Sequence, residues 1–159
     1  MPKLAAPPER FRALAERGDV LFHGSSNPDL TMLEPIRMSR DSTTFGDQQA
    51  VYATSDPVWA IYFAILRRGK FSTRNASLGF AGRDLFPRWY YFSITRPDGG
   101  ENFAPGSLYV LPRETFVCQK PLLGFIDTAQ WVSHTAVPML ERIDVTPADF
   151  PLLERVKLK

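Results

Sequence analysis

Two short segments of the chain contain residue types that bind ligands through hydrogen bonds and ring stacking. Residues 21–25 read Leu-Phe-His-Gly-Ser, and residues 51–54 read Val-Tyr-Ala-Thr. The serine supplies a hydroxyl, the glycine leaves its backbone open to close approach, and the tyrosine supplies a ring. A single histidine or tyrosine on a strand is more often structural, so the interest of these residues depends on their occurring together.

Both segments belong to predicted strands, and the second leads directly into the helix with the clearest signals. Residues 20–24 and 50–54 are short runs of apolar, aromatic and β-branched residues. The helix begins after Asp56, which is its cap, has Pro57 at its first position, and is expected to stop at Gly69. Its apolar residues surround almost the whole circumference, which predicts a buried central helix.

The remaining elements predict an α+β fold. A helix is expected over residues 7–18, and Thr146 is expected to cap a one-turn helix near the end of the chain. Segments 25–50 and 69–88 are predicted to be loops. Because helices come early and strands dominate later, we expect mostly antiparallel pairing. The further predicted strands are 89–95, 107–111, 115–118, 130–134 and 142–145.

Length and composition exclude several classes of protein. The 159 residues suit a single domain, 1–159, in which 1–18 form an N-terminal helical segment. No apolar run approaches the roughly 20 residues that span a bilayer, and the N-terminus lacks the apolar core of a secretory signal. One cysteine and two histidines argue against a structural metal site. We therefore expect a cytoplasmic protein without membrane or metal partners.

The two motifs together resemble the ADP-ribosyltransferase superfamily. His-Gly-Ser at 23–25, followed about 30 residues later by Val-Tyr-Ala-Thr and a buried helix, is similar to the branch with histidine, tyrosine and a variable third residue. Poly(ADP-ribose) polymerases and diphtheria toxin belong to that branch. The resemblance implies split antiparallel sheets around an NAD-binding cleft, with the central helix behind it, and NAD as the substrate.

The resemblance also implies roles for individual residues in binding NAD. His23 would hydrogen-bond a ribose hydroxyl, the backbone of Gly24 would approach the carboxamide, and Ser25 would bond to ribose or phosphate. Tyr52 would stack on the nicotinamide. A second aromatic residue one helical segment later often completes the sandwich, and the candidates at that spacing are Tyr62 and Phe63.

The third catalytic position departs from the active consensus. A glutamate on a later strand commonly binds a ribose hydroxyl and directs the acceptor, and by pattern Gln130 takes that place. An amide keeps a hydrogen bond but supplies no negative charge to an oxocarbenium-like transition state. Glu101 and Glu114 are the fallback candidates.

Two further functions remain open from the sequence. The first is a non-catalytic module on the same fold that binds a nucleotide, nucleic acid or protein. Residues 67–88 contain six basic residues and one acidic residue, interleaved with phenylalanines. This composition suits either a segment that contacts nucleic acid or an ordinary surface loop. The second is transfer of a terminal phosphate from RNA to NAD. It ranks last because its signature requires paired basic residues around the histidine, and residues 21–26 contain none. The acceptor is an unidentified protein or nucleic acid.

Overall fold

The computed structural model describes residues 2–35, 49–67, 72–96 and 100–159. Its helices are α1 (Glu9–Glu16) and α2 (Pro57–Ile65), and two 3-10 turns follow at Pro147–Asp149 and Leu153–Arg155. The strands, in chain order, are β1 (Lys3–Ala5), β2 (Val20–Ser25), β3 (Met32–Leu33), β4 (Val51–Thr54), β5 (Ser72–Phe80), β6 (Arg88–Thr95), β7 (Gly106–Pro112), β8 (Val117–Cys118), β9 (Ile126–Asp127), β10 (Gln130–Ser133), β11 (Val137–Pro138), β12 (Glu141–Val145) and β13 (Lys157–Leu158).

Helix α2 is the buried central helix that the sequence predicts. The Asp56 carboxylate accepts a hydrogen bond from the Val58 N–H, and Pro57 occupies the first turn. Seven of its nine residues are buried, so tertiary packing stabilises it from several sides. The predicted end at Gly69 is wrong, because Leu66 adopts an extended conformation and pairs with Phe103. Gly69 itself lies outside the described residues.

Helix α1 is shorter than the predicted 7–18. Pro8 stands at its cap instead of within its first turn, and Gly18 follows the last turn with φ of +76°, a conformation that favours glycine. Phe11 and Ala15 are the buried residues of this helix and join the core around α2. The predicted turn near the C-terminus is confirmed, and there Asp149 accepts the Thr146 N–H at 2.8 Å.

Sheet B carries both sequence motifs. Its strand order is β12-β7-β2-β4-β10-β8, and every neighbouring pair is antiparallel. The prediction of a mostly antiparallel α+β fold is therefore confirmed. The predicted strand 115–118 is shorter than expected and comprises Val117–Cys118.

Sheet A consists mostly of strands that the sequence did not predict, since β6 alone matches a predicted strand and β1 lies within the segment 1–18 that was predicted to be helical. Its order is β1-β6-β5-β9, and β13 also pairs with β6. Residues 69–88 were predicted to be a loop, but Ser72–Phe80 within them is a strand paired with β6 over seven residues. Its inward positions include the polar residues Thr73, Asn75 and Ser77, so the strand lacks the apolar alternation by which strands are recognised.

A buried polar cluster joins sheet A to the start of α2. Asp56 is fully buried and accepts hydrogen bonds from the Ser77 and Tyr90 hydroxyls at 2.7 and 2.9 Å. Arg88, which is 1% exposed, donates from Nε to the Ser77 hydroxyl and lies 3.8 Å from the Asp56 carboxylate. Its other nitrogens donate to the side chain and carbonyl of Asp127. The cluster therefore connects α2 with β5, β6 and β9.

The charge balance of this cluster sets the pKa of Asp56. Burial raises that pKa, while the Arg88 charge and the hydrogen bonds from Ser77, Tyr90 and Val58 act in the opposite direction. A carboxyl group whose pKa is raised in the folded state favours folding below its unfolded-state pKa. It loses that contribution as the pH rises through the folded-state pKa.

We predict that Arg88→Met destabilises the protein by about 3–5 kcal/mol near neutral pH, because it leaves a buried carboxylate without its cation. The substitution removes a cause that lowers the pKa of Asp56, so this pKa rises further. The loss relative to wild type should then be smaller at about pH 5 than at about pH 7.5. Urea unfolding of both proteins at the two pH values measures this loss of unfolding free energy.

Arg17→Met is the matched control, because Arg17 and Asp19 form an ion pair in which both side chains are more than half exposed. We expect it to cost at most about 1 kcal/mol at either pH. An equal loss for the two variants would contradict the structural role given to Arg88.

Candidate functional site

The three motif strands lie side by side in sheet B. Strand β4 runs between β2 and β10, so the strands of His23, Tyr52 and Gln130 are neighbours although 107 positions separate the first residue from the last. Gln130 is opposite Thr54 and Val132 is opposite Tyr52. Since alternate residues of a strand share a face, Tyr52 and Gln130 project from the same face of the sheet.

His23 is fixed to the neighbouring strand through its ring. Its Nδ1 lies 3.1 Å from the carbonyl oxygen of Tyr52. Because a carbonyl only accepts, Nδ1 carries the hydrogen, and Nε2 is the acceptor nitrogen of the neutral ring. Strands β2 and β4 are in register at Phe22 and Thr54, one residue before the histidine. The ring thus bridges the two strands at the point where their pairing ends.

Strand alternation separates His23 from the other two residues. Phe22 is opposite Thr54, so Phe22 shares the face of Tyr52 and Gln130, and His23 takes the opposite face beside Tyr109. The structure therefore joins His23 to Tyr52 through the backbone and not through the phenol ring. By these registers Gln130 is level with Phe22 and Thr54, whereas Tyr52 lies two residues nearer the start of β4, so the three side chains do not share one end of the strands.

A hydrogen-bonded turn holds Gln130 at the start of its strand. Its Nε2 donates to the Thr128 carbonyl at 3.3 Å. The preceding Ala129 has φ of 58°, and its carbonyl accepts the Ser55 N–H next to α2. Asp127 accepts the Ala129 N–H while also binding Arg88, so the buried cluster reaches the base of β10. The sequence signal for this contact is the acidic residue Asp127, three positions before Gln130.

Gly24 is a packing residue as well as a candidate for ligand contact. A Cβ atom on Gly24 would lie 1.8 Å from the Ala60 carbonyl oxygen in α2. Gly106 on β7 would meet the Ala64 carbonyl oxygen at the same distance. The two glycines therefore let sheet B touch the backbone of α2 directly, which explains the glycine in the His-Gly-Ser motif without a ligand.

Ser25 forms a local turn. Its Oγ accepts the Asn27 N–H at 3.0 Å, and Asn27 in turn accepts the Asp29 N–H. The Tyr109 hydroxyl donates to the Asn27 carbonyl and accepts from the Leu30 N–H. This arrangement fixes the chain that leaves β2. Most of the predicted loop 25–50 lies beyond it, and residues 36–48 are outside the described residues.

Tyr62 and Phe63, the two residues proposed to complete a nicotinamide sandwich, differ in their exposure. Tyr62 has no exposed surface, and Phe92, Phe103 and Phe150 surround its ring. Its hydroxyl bonds to Thr73, and burial raises its pKa. Because a ligand cannot reach its ring, Tyr62 belongs to the core and not to a cleft lining. Phe63 is half-buried and packs against Trp59 at 5.4 Å between ring centroids.

The fallback glutamates do not belong to the three strands. Glu101 is exposed and forms an ion pair with Arg67 at 3.1 Å. Glu114 is exposed in the turn after β7. Neither lies on β2, β4 or β10, so Gln130 remains the candidate that the strand order brings nearest to Tyr52.

No protein-family model, curated protein or solved structure matches this chain. In the part of the chain that the structure describes, neither helix is long and apolar enough to cross a bilayer. Within the same ranges, the His, Cys, Asp and Glu side chains form no cluster of three or more that could hold a metal ion.

We predict that Gly24→Ala destabilises the protein by about 3 kcal/mol, because β2 must move away from α2 to make room for the methyl group. Thermal unfolding of the purified variant measures the loss. Gly82→Ala is the comparison variant, since Gly82 has φ of +77° but no neighbour within 4 Å of an added Cβ. A loss at Gly24 no larger than the roughly 1 kcal/mol expected at Gly82 would contradict the packing role.

Proposed function

We propose that the protein binds NAD at strands β2, β4 and β10 of sheet B and transfers its ADP-ribose to an acceptor or to water. The observation that carries the proposal is the adjacency of these three strands. It puts the histidine, tyrosine and third-position segments in one sheet, with the His23 ring bonded to the Tyr52 carbonyl. The sequence resemblance requires such a convergence, and no local feature of the sequence enforces it.

The proposed chemistry is cleavage of the bond between nicotinamide and ribose. The electron pair of that bond leaves with the nicotinamide nitrogen, and positive charge develops on the ribose ring. The acceptor hydroxyl, amine or water then adds to the sugar carbon and loses a proton. His23 Nε2 would accept a hydrogen bond from a ribose hydroxyl, and the Tyr52 ring would stack on the nicotinamide.

Gln130 determines how fast such a reaction would proceed. Its amide would bond a ribose hydroxyl but would not offset the charge that develops in the transition state. The described strands β2, β4 and β10 contain no carboxylate among their residues. We therefore propose an enzyme of the ADP-ribosyltransferase type that binds NAD and turns it over slowly.

The same absence of a carboxylate favours a second candidate function. A domain with this sheet and an amide at the third position would bind a nucleotide without transferring it. The two functions differ in whether nicotinamide is released, since both require the ligand to bind near Tyr52.

The binding prediction concerns Tyr52 and His23. Replacing either with alanine should weaken NAD binding more than about fivefold, because each removal costs more than the ~1 kcal/mol of an ordinary contact. Tyr52→Phe should retain most of the affinity, since it keeps the ring. Isothermal titration calorimetry measures the dissociation constants, and circular dichroism verifies folding.

His134→Ala is the matched control for the histidine, because His134 lies just after β10 and is exposed. It should bind NAD as the wild type does. Absence of NAD binding by the wild-type protein would refute the proposed function, whatever the variants show.

The catalytic prediction concerns Gln130→Glu. The new carboxylate should raise the rate of nicotinamide release by about tenfold or more, which corresponds to ~1.4 kcal/mol from the barrier. NAD affinity should change much less, because the charge acts mainly in the transition state. Chromatographic quantification of nicotinamide over time measures the rate.

Gln49→Glu adds the same charge at an exposed position and should leave the rate unchanged. Fast release by the wild type that survives Gln130→Ala would place the third residue elsewhere. Binding without release by both wild type and Gln130→Glu would support the non-catalytic candidate instead.

A further inference from the structure

One face of sheet A has a composition unlike that of a face that only meets water. The registers put Arg74, Ala76 and Leu78 of β5 opposite Ser93, Tyr91 and Trp89 of β6, so these residues share the face turned away from the core. Leu4 joins them opposite Trp89, and Ile126 is opposite Phe80. We call this surface, defined by Leu4, Arg74, Leu78, Phe80, Trp89 and Tyr91, the open face.

Aromatic rings on the open face are accessible. Phe80 retains 56% and Trp89 45% of its surface, and Tyr91 is half-buried. The Phe80 ring also stacks on exposed Phe125, with 6.4 Å between centroids and 12° between planes. Solvent-facing residues of an antiparallel sheet are normally polar, so rings in this position indicate a partner.

The charge of the open face indicates the nature of that partner. Arg74 lies on β5, and Lys157 of β13 is placed opposite Ser93 on the same face. The strand residues that share this face include no aspartate or glutamate. Neither Arg74 nor Lys157 takes part in an ion pair of the described residues. The face therefore combines rings with two cations that form no ion pair with any residue in the described part of the chain.

The edge of the same sheet adds a basic cavity. Strand β1 covers one end of β6 and β13 covers the other, and a cavity of about 250 Å³ lies between them, lined in part by Lys3, Arg155 and Lys157. Tyr91 also lines it. The Ser93 side chain and the charges of Lys159 and Lys157 lower the pKa of the Tyr91 phenol. Arg155 and Lys157 can receive a phosphate beside the Tyr91 ring, whereas Lys3 is opposite Tyr90 and approaches the cavity from the other face.

We propose that the open face binds single-stranded nucleic acid. Exposed bases would stack on Trp89, Tyr91 and Phe80, and the phosphates would meet Arg74, Lys157 and the basic cavity. Sheet aromatics that stack two or three bases, with cations that follow the backbone, are a general means of binding single strands. A duplex keeps its bases stacked on one another and would lose these contacts. The proposal does not depend on NAD binding, which involves sheet B.

The test is fluorescence anisotropy with a labelled oligothymidine of about 12 nucleotides, a length within the range of known single-strand sites. The corresponding oligouridine and a duplex of the same length are measured in parallel. We expect the single strands to bind at least about tenfold more tightly than the duplex. Comparison of the affinities for oligothymidine and oligouridine shows whether the open face prefers deoxyribose or ribose.

Variants separate stacking from charge. Trp89→Ala should weaken binding about tenfold, while Trp89→Phe should restore most of it because a ring is kept. Arg74→Gln and Lys157→Gln should each reduce the slope of log affinity against log salt by about 0.7, as expected for one lost phosphate contact. Arg17→Gln and Leu140→Ala, an exposed cation and an exposed apolar residue outside the open face, should change neither quantity.

Absence of single-strand binding would overturn the proposal, as would binding that Arg17→Gln weakens as much as Arg74→Gln does. A wild-type dimer in sedimentation that Trp89→Ala dissociates would also overturn it and assign the face to a second copy. His23→Ala should bind the oligonucleotide as the wild type does. Failure of this proposal is thereby distinguishable from failure of NAD binding.

Discussion

The buried contact between Asp56 and Arg88 is the constraint on which the architecture depends. Two charged side chains with almost no exposure are tolerated because Ser77, Tyr90, Val58 and Asp127 supply the hydrogen bonds that water would otherwise provide. The cluster includes the cap of α2, a pair of strands in sheet A and the turn before Gln130. It therefore fixes sheet A relative to α2 through polar contacts whose geometry is specific, in addition to the apolar packing of Tyr62 against Phe92.

Sheet B packs against the same helix by a different means, a direct backbone contact at two glycines. Gly24 and Gly106 allow strand backbone to approach the carbonyl groups of Ala60 and Ala64. Helix α2 is thus contacted by polar groups and rings from sheet A and by backbone from sheet B. This dual attachment explains why the motif His-Gly-Ser carries a structural constraint at its glycine, independent of any ligand. It also makes the position of His23 dependent on the packing of α2.

The two candidate surfaces lie on different sheets and rely on different chemistry. Strands β2, β4 and β10 offer an imidazole, a phenol ring and a carboxamide, which suit a ligand with hydroxyl groups and a flat ring. The open face offers rings and cations, which suit bases and phosphates. The turn that carries Asp127 connects the surfaces, since it binds Arg88 under sheet A and leads directly into Gln130 of sheet B.

The sequence by itself determined the elements whose signals are local. Asp56 and Pro57 start α2, Thr146 and Asp149 form the C-terminal turn, and short runs of apolar, aromatic and β-branched residues mark most strands of sheet B. Tertiary structure decided the rest, because the cause lies in distant partners. Strand β5 is polar on its inner side, and its Ser77 finds hydrogen-bond partners in Asp56 and Arg88, which come from other elements. Tyr62 and Phe63 are adjacent in sequence, yet only packing buries the first completely. The neighbourhood of His23, Tyr52 and Gln130 likewise follows from strand order, which no local pattern encodes.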